Sequence, residues 1–319
     1  MRWPDLVSAL VRREDLEPDA ARWAMSQILA GVTTPVQVAG FAVALRAKGE
    51  TVTEVFALAE AMLDVATPVD LDREAVDIVG SGADRASTVN VSTMAAVVAA
   101  AAGARVVKHG NRAASSMCGT ADVLEAVGVA IDVPPGRQPA VLAATGLTFL
   151  FAPLYHPALR HAATARRELA VATTFNFLGP LANPARPTAQ AVGVADLRMA
   201  ELVAGVLARR GSRGLVFHGD DGLDELTTTT TSRVWVIGDG QVRADELDPV
   251  RIGIPRAEKP QLVGGPPEHN AEVLRQTLAG AAGPVRDIVL LNAAAALVAY
   301  HGPDQRPVAE QLAQRVDEA

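Results

Sequence analysis

Residues 77–93 read Asp77-Ile-Val-Gly-Ser-Gly-Ala-Asp-Arg-Ala-Ser-Thr-Val-Asn-Val-Ser-Thr93. An apolar strand runs into Gly80, a turn of small residues follows, and a helix starts near Ser92. Glycines let a ligand approach the backbone, and the free N–H groups of a helix start carry about half a positive charge. Strand, turn and helix together form a cradle for phosphate or pyrophosphate. A tight strand-to-helix turn closed by a Ser/Thr cap is the other reading of the same residues. The stretch is neither a dinucleotide fingerprint, which needs a third glycine, nor a P-loop, which needs Gly-Lys-Ser/Thr.

Around this unit the same texture repeats. Ala75–Val79, Ala104–Val107, Thr148–Phe151, Ala189–Val194, Gly214–Phe217 and Arg233–Ile237 are predicted strands. Thr93–Ala102, Ala121–Val127, Gln138–Ala144, Leu197–Arg210, His269–Ala279 and Pro284–Ala299 are predicted helices. Such alternation predicts an α/β domain, a mostly parallel sheet covered by helices, over residues 67–319. Residues 1–66 show only helical patterns. Pro18 and Pro35 stand at helix starts, the second behind a Thr34 cap, and Thr51-Val-Thr-Glu54 reads as a capping box. His156–Leu169 reads as a surface or crossover helix and Phe175–Pro187 as a proline-rich loop. Either could return the chain to the small all-helical domain, so part of 156–187 is expected to join it. Thr227–Thr231 reads as a strand or turn edge.

At about 150 residues per domain, 319 residues suggest two domains. The 29 basic and 36 acidic residues leave a net charge of −7, which argues against nucleic acid and anionic membranes as partners. The apolar runs Met94–Ala104 and Ile288–Tyr300, the second broken by Asn292, fall short of a membrane span. A single cysteine, Cys118, excludes a disulfide framework and fits a reducing, cytoplasmic compartment. MRWPDLVSAL lacks the apolar core of a signal peptide.

Two further segments follow predicted strands, so they belong at the carboxyl edge of the sheet, where open α/β sheets bind ligands. The first, Lys108-His-Gly-Asn-Arg-Ala-Ala-Ser-Ser-Met-Cys-Gly119, holds one of only three lysines in the chain. A lysine gives a point charge for phosphate oxygens, and Asn111, Ser115 and Ser116 give neutral donors. No base is nominated for Cys118 as a nucleophile, and the six histidines show no metal-binding spacing. The second, His218-Gly-Asp-Asp-Gly-Leu-Asp-Glu-Leu226, packs four carboxylates together, for which a bound cation is an economical explanation. Magnesium, shared between carboxylates and substrate phosphates, suits the spacing better than calcium. An acidic surface turn is the plainer alternative. His156 with Pro153 could wall an aromatic slot, and Arg166 could bind a carboxylate.

GSGAD (80–84), NVST (90–93), KHGNR (108–112), FNFLGPL (175–181) and DGLDE (221–225), in that order, resemble the motifs of the anthranilate phosphoribosyltransferases. The resemblance spans nearly the whole chain. It implies a nucleoside phosphorylase/phosphoribosyltransferase-like fold that dimerises through its helical domain. The implied reaction moves phosphoribose from phosphoribosyl pyrophosphate to the amine of anthranilate, in tryptophan biosynthesis, with Mg2+. By the same resemblance, Gly80, Ala83, Asp84, Thr88, Asn90, Val91, Ser92, Thr93, Lys108, His109, Gly110, Asn111, Arg112, Ala113, Ala114, Ser115, Ser116 and Thr120 contact phosphoribosyl pyrophosphate. Lys108 and Asn111 stand at the reacting centre. Gly80, Asn111, His156 and Arg166 hold anthranilate, and Ser92, Asp224 and Glu225 hold magnesium. The chain departs from the family at Ala83, where the motif has glycine, at Ser81, Arg85 and Ser87, and at Met117, Cys118 and Thr120. An alanine at position 83 is strained if the turn needs a positive φ. A related transferase with another aromatic acceptor, a pyrimidine nucleoside phosphorylase-like activity and a non-catalytic nucleic-acid-binding relative are the alternatives.

Overall fold

Capping and apolar spacing set the first four helices. The structure, a computed structural model, describes residues 1–319 except Ala83, Arg85, Ala114 and Ser115. Helices α1 (Trp3–Val11), α2 (Pro18–Leu29), α3 (Pro35–Lys48) and α4 (Val52–Asp64) precede any strand. Thr34 with Gln37 and Thr51 with Glu54 close reciprocal capping boxes at α3 and α4, satisfying N–H groups that would otherwise be orphaned. Phe41, Met25, Ile28, Leu45 and Leu58 fill the space between these helices.

The remainder alternates. Strands β1 (Val76–Gly80), β2 (Val106–Gly110), β3 (Leu147–Phe151), β4 (Ala189–Gly193), β5 (Arg213–Gly219), β6 (Ser232–Gly238) and β7 (Gln241–Leu247) form one sheet in the order β3-β2-β1-β4-β5-β6-β7. The first five strands run parallel, and β6 and β7 are antiparallel. Between and after them lie α5 (Val91–Ala101), α6 (Thr120–Ala126), α7 (Gln138–Thr145), α8 (Ala152–Tyr155), α9 (Arg160–Leu169), α10 (Phe175–Leu178), α11 (Leu197–Arg209), α12 (Pro267–Leu278), α13 (Pro284–His301) and α14 (Val308–Val316). Alanine-rich faces let α5 and α13 pack closely on one side of the sheet, while α11 covers β5 and β6 on the other. The fold is thus a helical N-terminal part beside a mostly parallel, helix-covered sheet.

Three local expectations change. β7 escaped prediction because its residues are polar and largely exposed at the sheet edge. Its Asp239-Gly240 hairpin, with φ of 51° and 71°, was the legible signal. The segment 175–187 is not wholly loop, since α10 and a 3-10 turn at Gly179–Leu181 occupy its first half. The crossover helix begins at Arg160, after a 3-10 turn at Pro157–Leu159, and packs on α2 and α3.

Strand order reverses at β1: the chain adds β2 and β3 on one side, then β4 and β5 on the other. At this switch point the turns leaving β1 and β4 stay tied, Ser81 N to the Gly193 carbonyl at 2.9 Å and Ala195 N to Ser81 Oγ at 3.0 Å. A crevice opens at the carboxyl edge of the sheet between the turns leaving β1, β2 and β5.

Candidate functional site

A cavity of about 350 Å³ occupies that crevice and reaches the helical part through Met62. It is lined by Gly80, Asp84, Thr88, Asn90, Val91, Ser92, Lys108, His109, Gly110, Asn111, Arg112, Ala113, Ser116, Thr120, His156, Arg166, Asp224 and Glu225. Thr93 does not line it: its side chain is buried one layer below and bonds Thr120 Oγ1 at 3.3 Å. Ala83, Ala114 and Ser115 lie outside the described residues, as does the φ expected to strain Ala83. Leu159, Phe175, Asn176, Gly179 and Pro180 also line the cavity. Phe175, Asn176, Gly179 and Pro180 belong to the segment read from sequence as a connecting loop, although its FNFLGPL motif was visible.

In the turn after β1, Gly82 adopts φ 71° and donates its N–H to Asp224 Oδ2 at 2.6 Å. Residue 90 precedes α5 but does not cap it. The Asn90 amide instead donates to the Cys118 carbonyl at 3.1 Å and accepts from Asn270 at 2.9 Å. The Ser/Thr-capped reading of this turn is therefore set aside. Val91 N bonds the Val89 carbonyl at 2.7 Å and Thr93 N the Asn90 carbonyl at 3.1 Å, so this end of α5 offers an anion its positive dipole end rather than a row of free N–H groups.

Lys108 projects from β2 into the floor, only 3 % exposed, and donates to the Ile78 carbonyl and to Ser92 Oγ at 3.3 Å. Burial lowers its pKa, and the charges of Asp77, Glu225 and Asp224 oppose that shift. Its neighbour His109 lies 5.4 Å from His156, ring to ring. Burial, with the nearby His156, pushes His109 down to about 3, so it is neutral at pH 7. Burial also lowers His156, whose Nε2 donates to the Ala182 carbonyl at 2.6 Å. The Cys118 thiol, pushed up to about 11 by burial, stays protonated. It is no nucleophile.

The loop after β2 is closed by Asp122, whose Oδ2 accepts from Ala113 N at 2.9 Å and Gly119 N at 2.8 Å. Arg112 borders the cavity, but its guanidinium pairs with Asp122 and Glu125 at 3.0 and 2.5 Å.

The acidic turn after β5 divides into two pairs of carboxylates. Asp220 and Asp221 accept from Thr231, Thr227 and Thr229 and shape the turn. Asp224 and Glu225 are buried at the cavity wall. Burial and the charge of Asp84 push Asp224 up to about 7; burial and Asp224 raise Glu225 well above the ordinary carboxylate range. Among the described residues no three His, Cys, Asp or Glu side chains converge as a ready-made metal cage. Magnesium needs none, because it takes one or two carboxylates and fills its remaining positions with phosphate oxygens and water. Two buried carboxylates in need of positive charge, with the Ser92 hydroxyl nearby, fit that ion.

Asp77 was not singled out in the sequence, yet it is fully buried behind Lys108. It accepts from His109 N at 3.2 Å and from Asn183 Nδ2 at 2.8 Å. Burial, opposed by Lys108 and Asn183, raises its pKa from the ordinary 3.8 to about 6. The unfolded chain then ionises first as pH rises, so the fold loses about 3 kcal/mol between roughly pH 4 and 6. Urea unfolding at pH 4 and 6.5 should show Asp77→Asn gaining on the wild type by about that amount. A pH-independent difference would contradict it.

Residues 4–66 match the family described as "Glycosyl transferase family, helical bundle domain". Residues 72–318 match "Glycosyl transferase family, a/b domain". Anthranilate phosphoribosyltransferase of Thermobifida fusca is 62% identical over 300 residues, 94% of this chain and 86% of that one. The crystal structure of the Thermus thermophilus enzyme superposes with a TM-score of 0.90 at 43% identity, covering 98% of this chain and 94% of that one. The Saccharomyces cerevisiae enzyme, solved in complex with PRPP and Mg, gives 0.86 at 26% identity, covering 99% and 93%. With both domain families matched and this degree of identity along almost its full length, the chain belongs to the anthranilate phosphoribosyltransferase family.

Proposed function

We propose that this chain transfers phosphoribose from phosphoribosyl pyrophosphate to the amine of anthranilate in tryptophan biosynthesis, releasing pyrophosphate, with Mg2+ as cofactor. One observation carries the reading: the three turns leaving β1, β2 and β5 meet in one cavity, bringing a buried lysine against two buried carboxylates. The turn amides, the N-terminus of α5 and Lys108 would hold the pyrophosphate, and Asp224, Glu225 and Ser92 would hold the ion. Bound there, magnesium neutralises pyrophosphate charge and makes it a better leaving group.

The C1–O bond to pyrophosphate breaks through an oxocarbenium-like transition state while the amine nitrogen forms the new bond to C1. Lys108 stabilises the charge that develops on the departing oxygens, and Asn111 helps to position the ribose at the reacting centre. The amine's proton leaves from a cationic nitrogen acidic enough for water or pyrophosphate to accept it. A strong base is unnecessary, which agrees with burial lowering the basicity of both histidines in the cavity wall.

Gly80, Asn111, His156 and Arg166 would receive the aromatic acid. Arg166 borders the cavity with no carboxylate partner among the described residues, stacked 5.7 Å from the Phe175 ring. Replacing it with alanine should raise KM for anthranilate about ten- to a hundredfold, the loss of a charge-assisted contact, and change KM for phosphoribosyl pyrophosphate far less. Equal effects on both would remove its assigned role.

Residues 1–66, joined by part of 156–187, form the helical domain in this reading, and 67–319 the phosphoribosyl pyrophosphate-binding domain. Val36 and Val43, one face of α3, are 80 % and 44 % exposed, and Val32 beside them is 66 % exposed. Exposed apolar side chains so grouped support a homodimer through this domain. Sedimentation equilibrium should therefore find a dimer for the wild type and a 33.2 kDa monomer for Val36→Glu/Val43→Glu. A monomeric wild type would end the proposal.

The test of function is loss of anthranilate fluorescence with phosphoribosyl pyrophosphate and Mg2+. Unchanged fluorescence alongside consumption of another aromatic amine would reassign the acceptor.

A further inference from the structure

Between Ile288 and Tyr300, α13 is apolar except at Asn292, which is completely buried. A carboxamide there costs free energy unless its polar atoms are matched. Each one is. Asn292 Oδ1 accepts from the backbone N–H of Leu226 at 3.0 Å. Its Nδ2 donates to the Leu226 carbonyl at 2.9 Å and to the Ile288 carbonyl at 2.9 Å. The side chain thus serves both backbone groups of Leu226, much as a neighbouring strand would, from 66 residues away in sequence.

Leu226 directly follows Glu225. Around it the main chain has two other side-chain supports, Leu223 N donating to Asp221 Oδ1 at 3.2 Å and Thr227 N to Ser232 Oγ at 3.0 Å, and neither reaches residues 224–226. Gly219 N bonds the Leu223 carbonyl and Ala257 N bonds the Thr228 carbonyl, but no described backbone–backbone bond falls between Leu223 and Thr228. On its other side the turn abuts β1 and β4, where Asp224 lies against Gly80 and Gly193. The carboxylates are gripped from two directions: by the ends of two parallel strands and by one amide on α13.

We propose that Asn292 is a positioning residue that clamps the main chain behind Glu225 and so presents Asp224 and Glu225 to magnesium. The inference rests on the role assigned to those carboxylates above. Loss of a supporting contact behind metal ligands typically weakens metal binding about ten- to a hundredfold. The readout is binding of phosphoribosyl pyrophosphate by calorimetry across a series of Mg2+ concentrations, for wild type, Asn292→Leu and Val298→Ala. Leucine keeps the forked, four-atom shape of asparagine, with bulkier methyl ends, while removing all three hydrogen bonds. Val298→Ala loosens the same helix without touching the turn.

The Mg2+ concentration for half-maximal binding should rise about tenfold or more in Asn292→Leu. It should move less than about twofold in Val298→Ala. No shift in the leucine variant, or equal shifts in both, would overturn the clamp. In the wild type, the Leu226 amide should exchange with solvent as slowly as the amides of β5. Exchange as fast as that of an exposed turn would overturn the clamp even if the leucine variant failed to fold. A wild type that binds no phosphoribosyl pyrophosphate at any Mg2+ concentration would instead refute the function proposed above.

Discussion

Lys108→Met should lower kcat/KM about a hundred- to a thousandfold at saturating Mg2+, and most of the fall should be in kcat. Methionine nearly matches the length of the lysine stem, so the floor of the cavity keeps its shape. What disappears is a point charge with almost no exposure to water, set beside Ser92 and two carboxylates. In such a place a charge acts through a low dielectric and needs no reorganisation as the pyrophosphate departs. Removing one such stabilising donor costs about 2.7–4 kcal/mol in other enzymes. Because the acceptor site proposed above rests on Arg166 and not on Lys108, KM for anthranilate should change by less than about threefold. Steady-state kinetics with each substrate varied in turn would decide it. A loss under about tenfold would move Lys108 from the reacting centre to a structural part.

Gly193→Ala should be nearly as damaging, although residue 193 touches no substrate in the reading above. A Cβ built on Gly193 would stand 1.6 Å from the Asp224 carbonyl oxygen and 2.3 Å from its carbon. Both are backbone atoms, so no side chain can swing aside. β4 cannot yield, because it pairs with β1 at Gly80 and with β5 at Phe217. The acidic turn must move instead, taking Asp224 and Glu225 with it. Overpacking of this kind typically costs about 1–3 kcal/mol. Displacing both carboxylates should raise the Mg2+ requirement at least about tenfold. Thermal unfolding and a magnesium titration of activity would show both effects. A variant with wild-type magnesium dependence would mean that the turn is not wedged against the strand end.

Local chemistry was legible where neighbours in sequence are neighbours in space. Thr51 and Glu54 cap the same helix turn that they occupy in the chain, and the strand into Gly80 is followed by the helix that packs on it. The convergence of the three turns was legible too, since parallel strands deliver the turns after them to one edge. Less could be read from the acidic turn at 220–225, because its four carboxylates look alike in sequence. Only the positions of the threonines at 227–231 separate Asp220 and Asp221, which they satisfy, from Asp224 and Glu225, which the fold buries. The partners of Arg112 were equally hidden: it borders the cavity, and α6 brings Asp122 and Glu125 against it.

By itself, then, the sequence determined the alternation of strand and helix, the capped helical start and the glycine, lysine and acidic turns, since each depends on groups a few residues apart. Tertiary structure alone decided which polar groups brace those turns. Asp77 meets Asn183, Asn90 meets Asn270 and Leu226 meets Asn292 across 106, 180 and 66 residues. A buried amide or carboxylate states in sequence only that it must have a partner; which partner it finds is settled when the sheet and α13 close over it.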